Sequence, residues 1–253
     1  MNARGYLKVG TVLLAGVVAV AALGVPDAPA KVKQKVGIRG QKGPITSKGV
    51  KEDTKTEPLK TDLPKAMFEG TPKNIKPTPM LEKYIDKPRP PFLIPEGCTN
   101  LARGKPVTSS DSMPIIGDLD LVTDGDKEGM DGSYVELGPG LQWSQIDLEQ
   151  TCEIYALIVW HYHAEGRVYH DVVIQVSDDP DFIEGVKTVY NNDYDNSSGL
   201  GIGKDLEFIE DYRGRLIDAG GVKGRYVRLY SAGNTSNDQN HYIEVEVYGK
   251  PVK

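Results

Sequence analysis

The stretch TDGDKEGMD, residues 123–131, places four carboxylates and two glycines within nine residues. Clustered carboxylates on a tight turn are the chemistry of a hard cation such as calcium, which takes about six to eight oxygen ligands. The EF-hand is the first template to test. With Asp124 at position 1, Asp126 falls at 3, Glu128 at 5 and Gly129 at 6. Position 12, where that loop needs a bidentate carboxylate, is Val135. The stretch is therefore no EF-hand. Two readings stay open on these residues alone: a calcium loop of another kind, or an ordinary solvated acidic turn.

A second concentration of chemistry is HYHAEGRVYHD, residues 161–171, which holds three of the four histidines with Glu165, Arg167 and two tyrosines. Sugar recognition calls for planar donors and acceptors to meet hydroxyls, and an aromatic face to meet C–H patches. His161, His163, Arg167 and Tyr169 supply those types. In SAGNTSNDQNH, residues 231–241, Asn234 and Asn237 carry amides that suit hydroxyls, or else close Asx-turns. A zinc site on His161 and His163, completed by His170 or Asp171, lacks a third ligand at a diagnostic spacing. There is no GxSxG elbow, no Walker loop and no recognisable pair of glycosidase carboxylates. GLGIGKD, residues 199–205, lacks the GK[ST] ending of a phosphate loop and reads as a flexible connection. The chain reads as a binding protein, not an enzyme.

The elements that must position these residues follow a period of two. QWSQIDL, EIYALIVW, HDVVIQVS, KTVYNN, GRYVRLYS and YIEVEVYG are rich in Val, Ile and Tyr and bounded by Gly, Asn and Asp. EIYALIVW is apolar on both faces, as a central strand of a two-layer sandwich requires. In YIEVEVYG, Ile243, Val245 and Val247 are expected on one face and Glu244 and Glu246 on the other. No stretch carries a sustained helical stripe. The predicted fold class is all-β, a sandwich with long polar loops.

In order along the chain, NLARGKPVTSSD, TDGD, QWSQIDLEQTCEIYALIVW, VIQVSDDPDF, GRYVRLYS and YIEVEVYG resemble discoidin domains. Those coagulation-factor type C modules are similar to family 32 carbohydrate-binding modules. The resemblance spans roughly residues 98–250, extends to secreted bacterial discoidin-domain proteins, and implies a galactose-binding-like jelly roll. It also implies a structural calcium held by loop carboxylates, backbone carbonyls and a Glu of the last strand. The matching residues here are Asp124, Asp126 and Glu244, with Glu128 and Asp131 as substitutes; the KEGMDGSYVEL that follows DGD departs from the family pattern. The resemblance further implies carbohydrate binding. Relatives commonly use a His, an Arg and an aromatic, and the transfer to His163, Arg167 and Tyr169 is by chemistry only. The alternative is a structural or adhesive protein that docks a protein partner through the sandwich. Membrane-binding relatives carry apolar loop spikes, few of which are read in these loops.

Charge and cysteines set the context. Residues 1–30 combine Arg4 and Lys8, an uncharged run TVLLAGVVAVAALG and Ala28-Pro29-Ala30, the pattern of an export signal. The run is shorter than the roughly 20 residues of a membrane span. An exported product, periplasmic, at the cell surface or extracellular, is expected. Residues 31–97 hold 15 Lys/Arg against 8 Asp/Glu and 10 of the 17 prolines, and read as a basic linker or arm. Residues 31–60 are expected to lack fixed structure, and parts of 61–97 to lie extended along the sandwich. Residues 98–253 hold 13 Lys/Arg against 27 Asp/Glu, an acidic balance that excludes a nucleic-acid partner. Cys98 and Cys152, an even count in an exported chain, are expected to form a disulfide.

Overall fold

The computed structural model describes residues 43–252. The export signal and residues 31–42 of the basic segment lie outside the described residues. Eleven strands run through the rest: β1 (Ile45–Thr46), β2 (Thr56–Pro58), β3 (Phe92–Pro95), β4 (Thr99–Asn100), β5 (Val107–Ser109), β6 (Val135–Leu137), β7 (Gln142–His161), β8 (Val173–Ser177), β9 (Lys187–Asn191), β10 (Arg215–Ser231) and β11 (Asn240–Pro251). A 3₁₀ turn covers Leu119–Thr123.

The sandwich is an all-β jelly roll built around two long strands. β4 to β11 form one hydrogen-bonded set in the order β4-β11-β7-β10-β8-β9, with β5 on β7 and β6 on β11. β7 and β10 serve both layers. Gln142–Asp147 of β7 pair with Tyr226–Ser231, whereas Cys152–Val159 pair with Arg215–Gly224. Between these halves Glu149 takes a positive φ of 65°, and β10 slips register on either side of Val222–Gly224. Such bulges bend a strand from one layer to the next.

Alternation along the strands makes two apolar clusters. Ile146, Leu148, Leu157, Val159, Val227, Leu229, Val245 and Val247 meet between the layers. Ala156, Ile158, Trp160, Leu216 and Ile243 face the other way, outward. That outer face is not open to water. Phe92 and Ile94 of β3 are buried against it, and β3 carries β1 and β2 on its two sides in a small three-stranded sheet. EIYALIVW is apolar on both faces because one side meets the second layer and the other meets this arm.

Polar anchors fix the arm in place. The Arg213 side chain is fully buried, pairs with Asp211 at 2.5 Å and donates to the Ile85 carbonyl at 3.0 Å. Arg215 pairs with Glu82 at 2.5 Å, and Ser47 donates to Asp218 at 2.7 Å. Fixed structure over 43–60 overturns the expectation for that part of 31–60; residues 31–42 lie outside the described residues. The polar composition of that segment misled, because the sandwich supplies the apolar surface and the ladder to β3 satisfies the backbone.

The expected disulfide is also corrected: Cys98 and Cys152 are free thiols. Gly249 pairs with Thr99 on one side and Ile154 on the other, and Lys250 with Glu153. That register sets Cys98 level with Glu153, one residue from Cys152. A one-residue offset puts side chains on opposite faces. Cys152 packs in the inner cluster and Cys98 against the outer one.

Candidate functional site

The DGD loop leaves the 3₁₀ turn and wraps the middle of β11. Gly125, at φ +82°, turns its N–H onto Glu244 Oε2 at 2.8 Å. Asp124 Oδ1 accepts from the Asp126 N–H at 2.7 Å, and Asp126 accepts from the Glu128 N–H and the Ser133 hydroxyl. Glu128 and Asp131 face solvent. Glu244 is wholly buried, and its Oε1 has no hydrogen-bond partner. Burial pushes its carboxyl up to about 8; Glu246 and Asp124 add to the rise, while the Gly125 N–H and Lys127 oppose it. A buried carboxylate oxygen with nothing to meet it is costly unless a cation or proton supplies the partner. Glu244 is thus joined to the backbone of the loop that carries Asp124 and Asp126. The three carboxylates do not all come within 4.8 Å of one another, as only those of Asp171, Asp193 and Asp195 do among the described residues. Sequence alternation assigned Glu244 and Glu246 a shared face correctly, and the arm and the DGD loop cover it. The expected placing of Ile243 is corrected: the register shift between Tyr242 and Glu244 turns it to the outer cluster, away from Val245 and Val247.

The end of β7 and the loop after it build a polar cluster beside that loop. His161 turns inward, with Nδ1 2.6 Å from Glu210 Oε1 and its ring stacked on Tyr169 at 4.4 Å. The Tyr169 hydroxyl lies 2.9 Å from His241 Nδ1, and His241 Nε2 lies 3.0 Å from Glu136. Burial and the Arg167 charge push His241 down to about 4, so its imidazole is neutral at pH 7. Burial also raises the Tyr169 hydroxyl well above its ordinary value. The directions follow: Tyr169 donates to Nδ1, and Nε2–H donates to Glu136. His163 is buried, and its Nε2–H donates to the Lys127 carbonyl at 2.9 Å.

Arg167 stands apart from these. Its guanidinium lies 4.3 Å above the Tyr162 ring and touches exposed Glu165 at 3.5 Å. Its Nε and Nη1 are buried without a hydrogen-bond partner. Tyr134 packs edge-on to Tyr162 at 5.4 Å. Arg167, backed by two aromatic rings, thus keeps two buried donors without a hydrogen-bond partner among the described residues; His161 Nε2 and His163 Nδ1 are likewise buried and unpartnered.

The other predicted ligand residues are placed differently. His161 and Tyr169 are interior and hydrogen-bonded, and His163 is a strut for the DGD loop. Asn234 donates to Asn237 Oδ1 at 2.7 Å and to the Gln239 carbonyl at 2.9 Å, while its own oxygen accepts from the Ser236 N–H. Asn234 and Asn237 close a turn, and their reading as ligand amides is corrected on that ground. Sequence reasoning missed Tyr162, Tyr134, Glu136, Glu210 and His241. Four lie on or beside strands whose register alone joins them, Tyr242 facing both Val135 and His161. It also missed Asp193 and Asp195, whose carboxylates come within 4.8 Å of each other and of Asp171, which the sequence offers only to a zinc site with His161 and His163. The D-x-D-x-S spacing of 193–197 was a signal for Asp193 and Asp195. The loop after them is tied down, with Asn191 donating to the Gly201 carbonyl at 2.8 Å. Among the described residues no helix is long and apolar enough to cross a membrane.

No family model and no curated protein matches the chain. Solved structures similar to it include a family 89 glycoside hydrolase from Clostridium perfringens in complex with GlcNAc-alpha-1,4-galactose. That match has TM-score 0.45 and 19% identity over 60% of this chain, which spans 15% of the hydrolase. A fucose-binding module from Streptococcus pneumoniae matches at TM-score 0.42 and 22% identity, over 59% of this chain and 97% of the module. A chitosan-binding module from a chitosanase/glucanase of Paenibacillus sp. IK-5 matches at 0.41 and 21%, over 60% and 99%. At such identities and scores the likeness carries no inference about ligand.

Proposed function

We propose that this protein is an exported, non-catalytic module that binds carbohydrate through the loop end of its sandwich, with Arg167 as the principal contact. One observation carries the reading: Arg167 holds two buried, unpartnered donors over the ring of Tyr162. Planar donors beside an aromatic face are the pairing a sugar ring with its hydroxyls requires. Desolvated donors without partners favour any ligand that supplies oxygens there. Tyr134 and Glu136 border the same spot, and the neutral His241 behind them holds Glu136 in position. Export is supported by the N-terminal sequence pattern. A glycan-array screen of the full chain, repeated with Arg167→Ala, tests the proposal: retained binding of neutral glycans in the variant would overturn it.

Calcium belongs to the same proposal. Asp124, Asp126 and Glu244 would hold it, and the orphaned Oε1 of Glu244 supports the fit. Calcium would supply a positive charge that neutralises Glu244 and stiffens the loop next to His163. A protein partner is a second reading, favoured by Met113, 82% exposed, with Ile115 and Ile116 beside it.

A further inference from the structure

Between the arm and the DGD loop lies a second concavity, a cavity of about 480 Å³. It lies within the ~300–1,000 Å³ range usual for small-ligand sites. One wall comes from Lys60 and Asp62 of the arm, the other from Arg103 and the Gly125 backbone of the sandwich. Neither segment makes the site alone.

The charges inside are unequally matched. Glu246 is buried and fully met: Lys127 Nζ lies 2.8 Å from Oε1, and Thr61 and Tyr248 hydroxyls donate to Oε2 at 2.7 and 2.9 Å. Lys127 also lies 5.4 Å from the Trp160 ring centroid, so it is fixed in place. Lys60 and Arg103 are left, both exposed and neither paired with a carboxylate among the described residues. Asp62, the remaining charged wall residue, pairs with neither. Arg103 is positioned by close approach to the loop. A Cβ on residue 125 would collide with the Arg103 guanidinium, so only glycine lets that group lie on the loop backbone. An exposed guanidinium lying against the loop backbone, with its donors unused, is free to receive an anion bidentately.

We infer that this cavity binds the anionic group of a sugar-sized, hydroxylated ligand, a carboxylate or a sulfate on an acidic saccharide. Arg103 and Lys60 take the anion, and Asp62 accepts from neighbouring hydroxyls. The site is separate from Arg167 and does not depend on that reading.

The test is calorimetric titration of the full chain with an oligogalacturonate, a sulfated galacto-oligosaccharide and a neutral galacto-oligosaccharide. At least one anionic probe should bind, and the choice between carboxylate and sulfate names the group. Arg103→Ala should weaken that binding about tenfold and Lys60→Ala about threefold, each losing one charged contact. Lys187→Ala, which removes an exposed cation outside the cavity lining, should leave it unchanged. Both cations are exposed, so these variants keep the fold, which unchanged thermal melting will verify. Failure of both anionic probes, or binding that survives the double Arg103/Lys60 variant, would overturn the inference.

Discussion

The Nε2–H of His163 reaches the carbonyl of Lys127 across 2.9 Å and so ties the loop that carries Arg167 to the loop that carries Asp124 and Asp126. His163 is thus a positioning residue for the DGD loop. Calcium that binds only the folded chain stabilises by about 2.7 kcal/mol at a hundredfold excess over its Kd. That corresponds to a melting shift of roughly 5–10 °C for a domain of this size. Chelation should lower the melting temperature by that much, and Glu244→Gln should abolish the calcium response. His163→Ala should weaken calcium affinity about tenfold without removing a ligand, as loss of a supporting group does. Identical calorimetric melts with chelator and with calcium would contradict both claims.

The arm makes a second prediction. Phe92 and Ile94 cover Ala156, Ile158, Trp160 and Ile243. Phe92→Ala should cost about 3–5 kcal/mol in urea unfolding, the range for a buried aromatic. A chain begun at residue 98 should aggregate, and light scattering would reveal it. A monodisperse, fully stable 98–253 fragment would show that the arm contributes nothing.

Two free thiols make the third. Thiol titration of the denatured, unreduced protein should count both Cys98 and Cys152. In the native protein Cys152 should react slowly, since burial raises its thiol and shields it. A count of zero after denaturation would restore the disulfide.

Much of this molecule was legible in the sequence, and the failures share one cause. Period-two strands announce the sandwich, and the alternation of Val245 and Val247 with Glu244 and Glu246 places each on its proper face. Sequence cannot say what lies over that face. The arm does, which is why two glutamates on a polar face are buried. Cys98 and Cys152 mislead for a related reason, because β11 lies between β4, which Cys98 precedes, and β7, which holds Cys152, and the two thiols face opposite clusters. At the candidate site Arg167 was readable from its neighbours in sequence. Its platform, Tyr162 with Tyr134, was not, since β6 reaches β7 only through β11.

His170 gives the fourth prediction, on pH. Its hydrogen bond to Glu207, at 2.9 Å, raises the imidazole above its ordinary value, with burial opposing. A raised histidine contributes stability in full below its unfolded value, and that contribution fades as pH rises through the folded one. Glu207 also donates its N–H to the Met80 carbonyl of the arm, at 2.9 Å. The difference in urea midpoint between wild type and His170→Gln should therefore shrink from pH 6 to 9, roughly over the range where the histidine loses its proton. A difference that stays constant or widens would refute the pairing.

The last prediction concerns Arg167 itself, and the most direct measurement is the affinity of the full chain for the strongest neutral glycan found by array, with and without that guanidinium. Arg167→Ala should weaken binding by at least about tenfold, as loss of a charged hydrogen-bonding group does. Arg167→Lys should recover little of it, because an ammonium lacks the planar fork that stacks on Tyr162. Melting temperature and the calcium response should stay at wild-type values in both variants. A dissociation constant unchanged in Arg167→Ala would place the carbohydrate elsewhere and contradict the account.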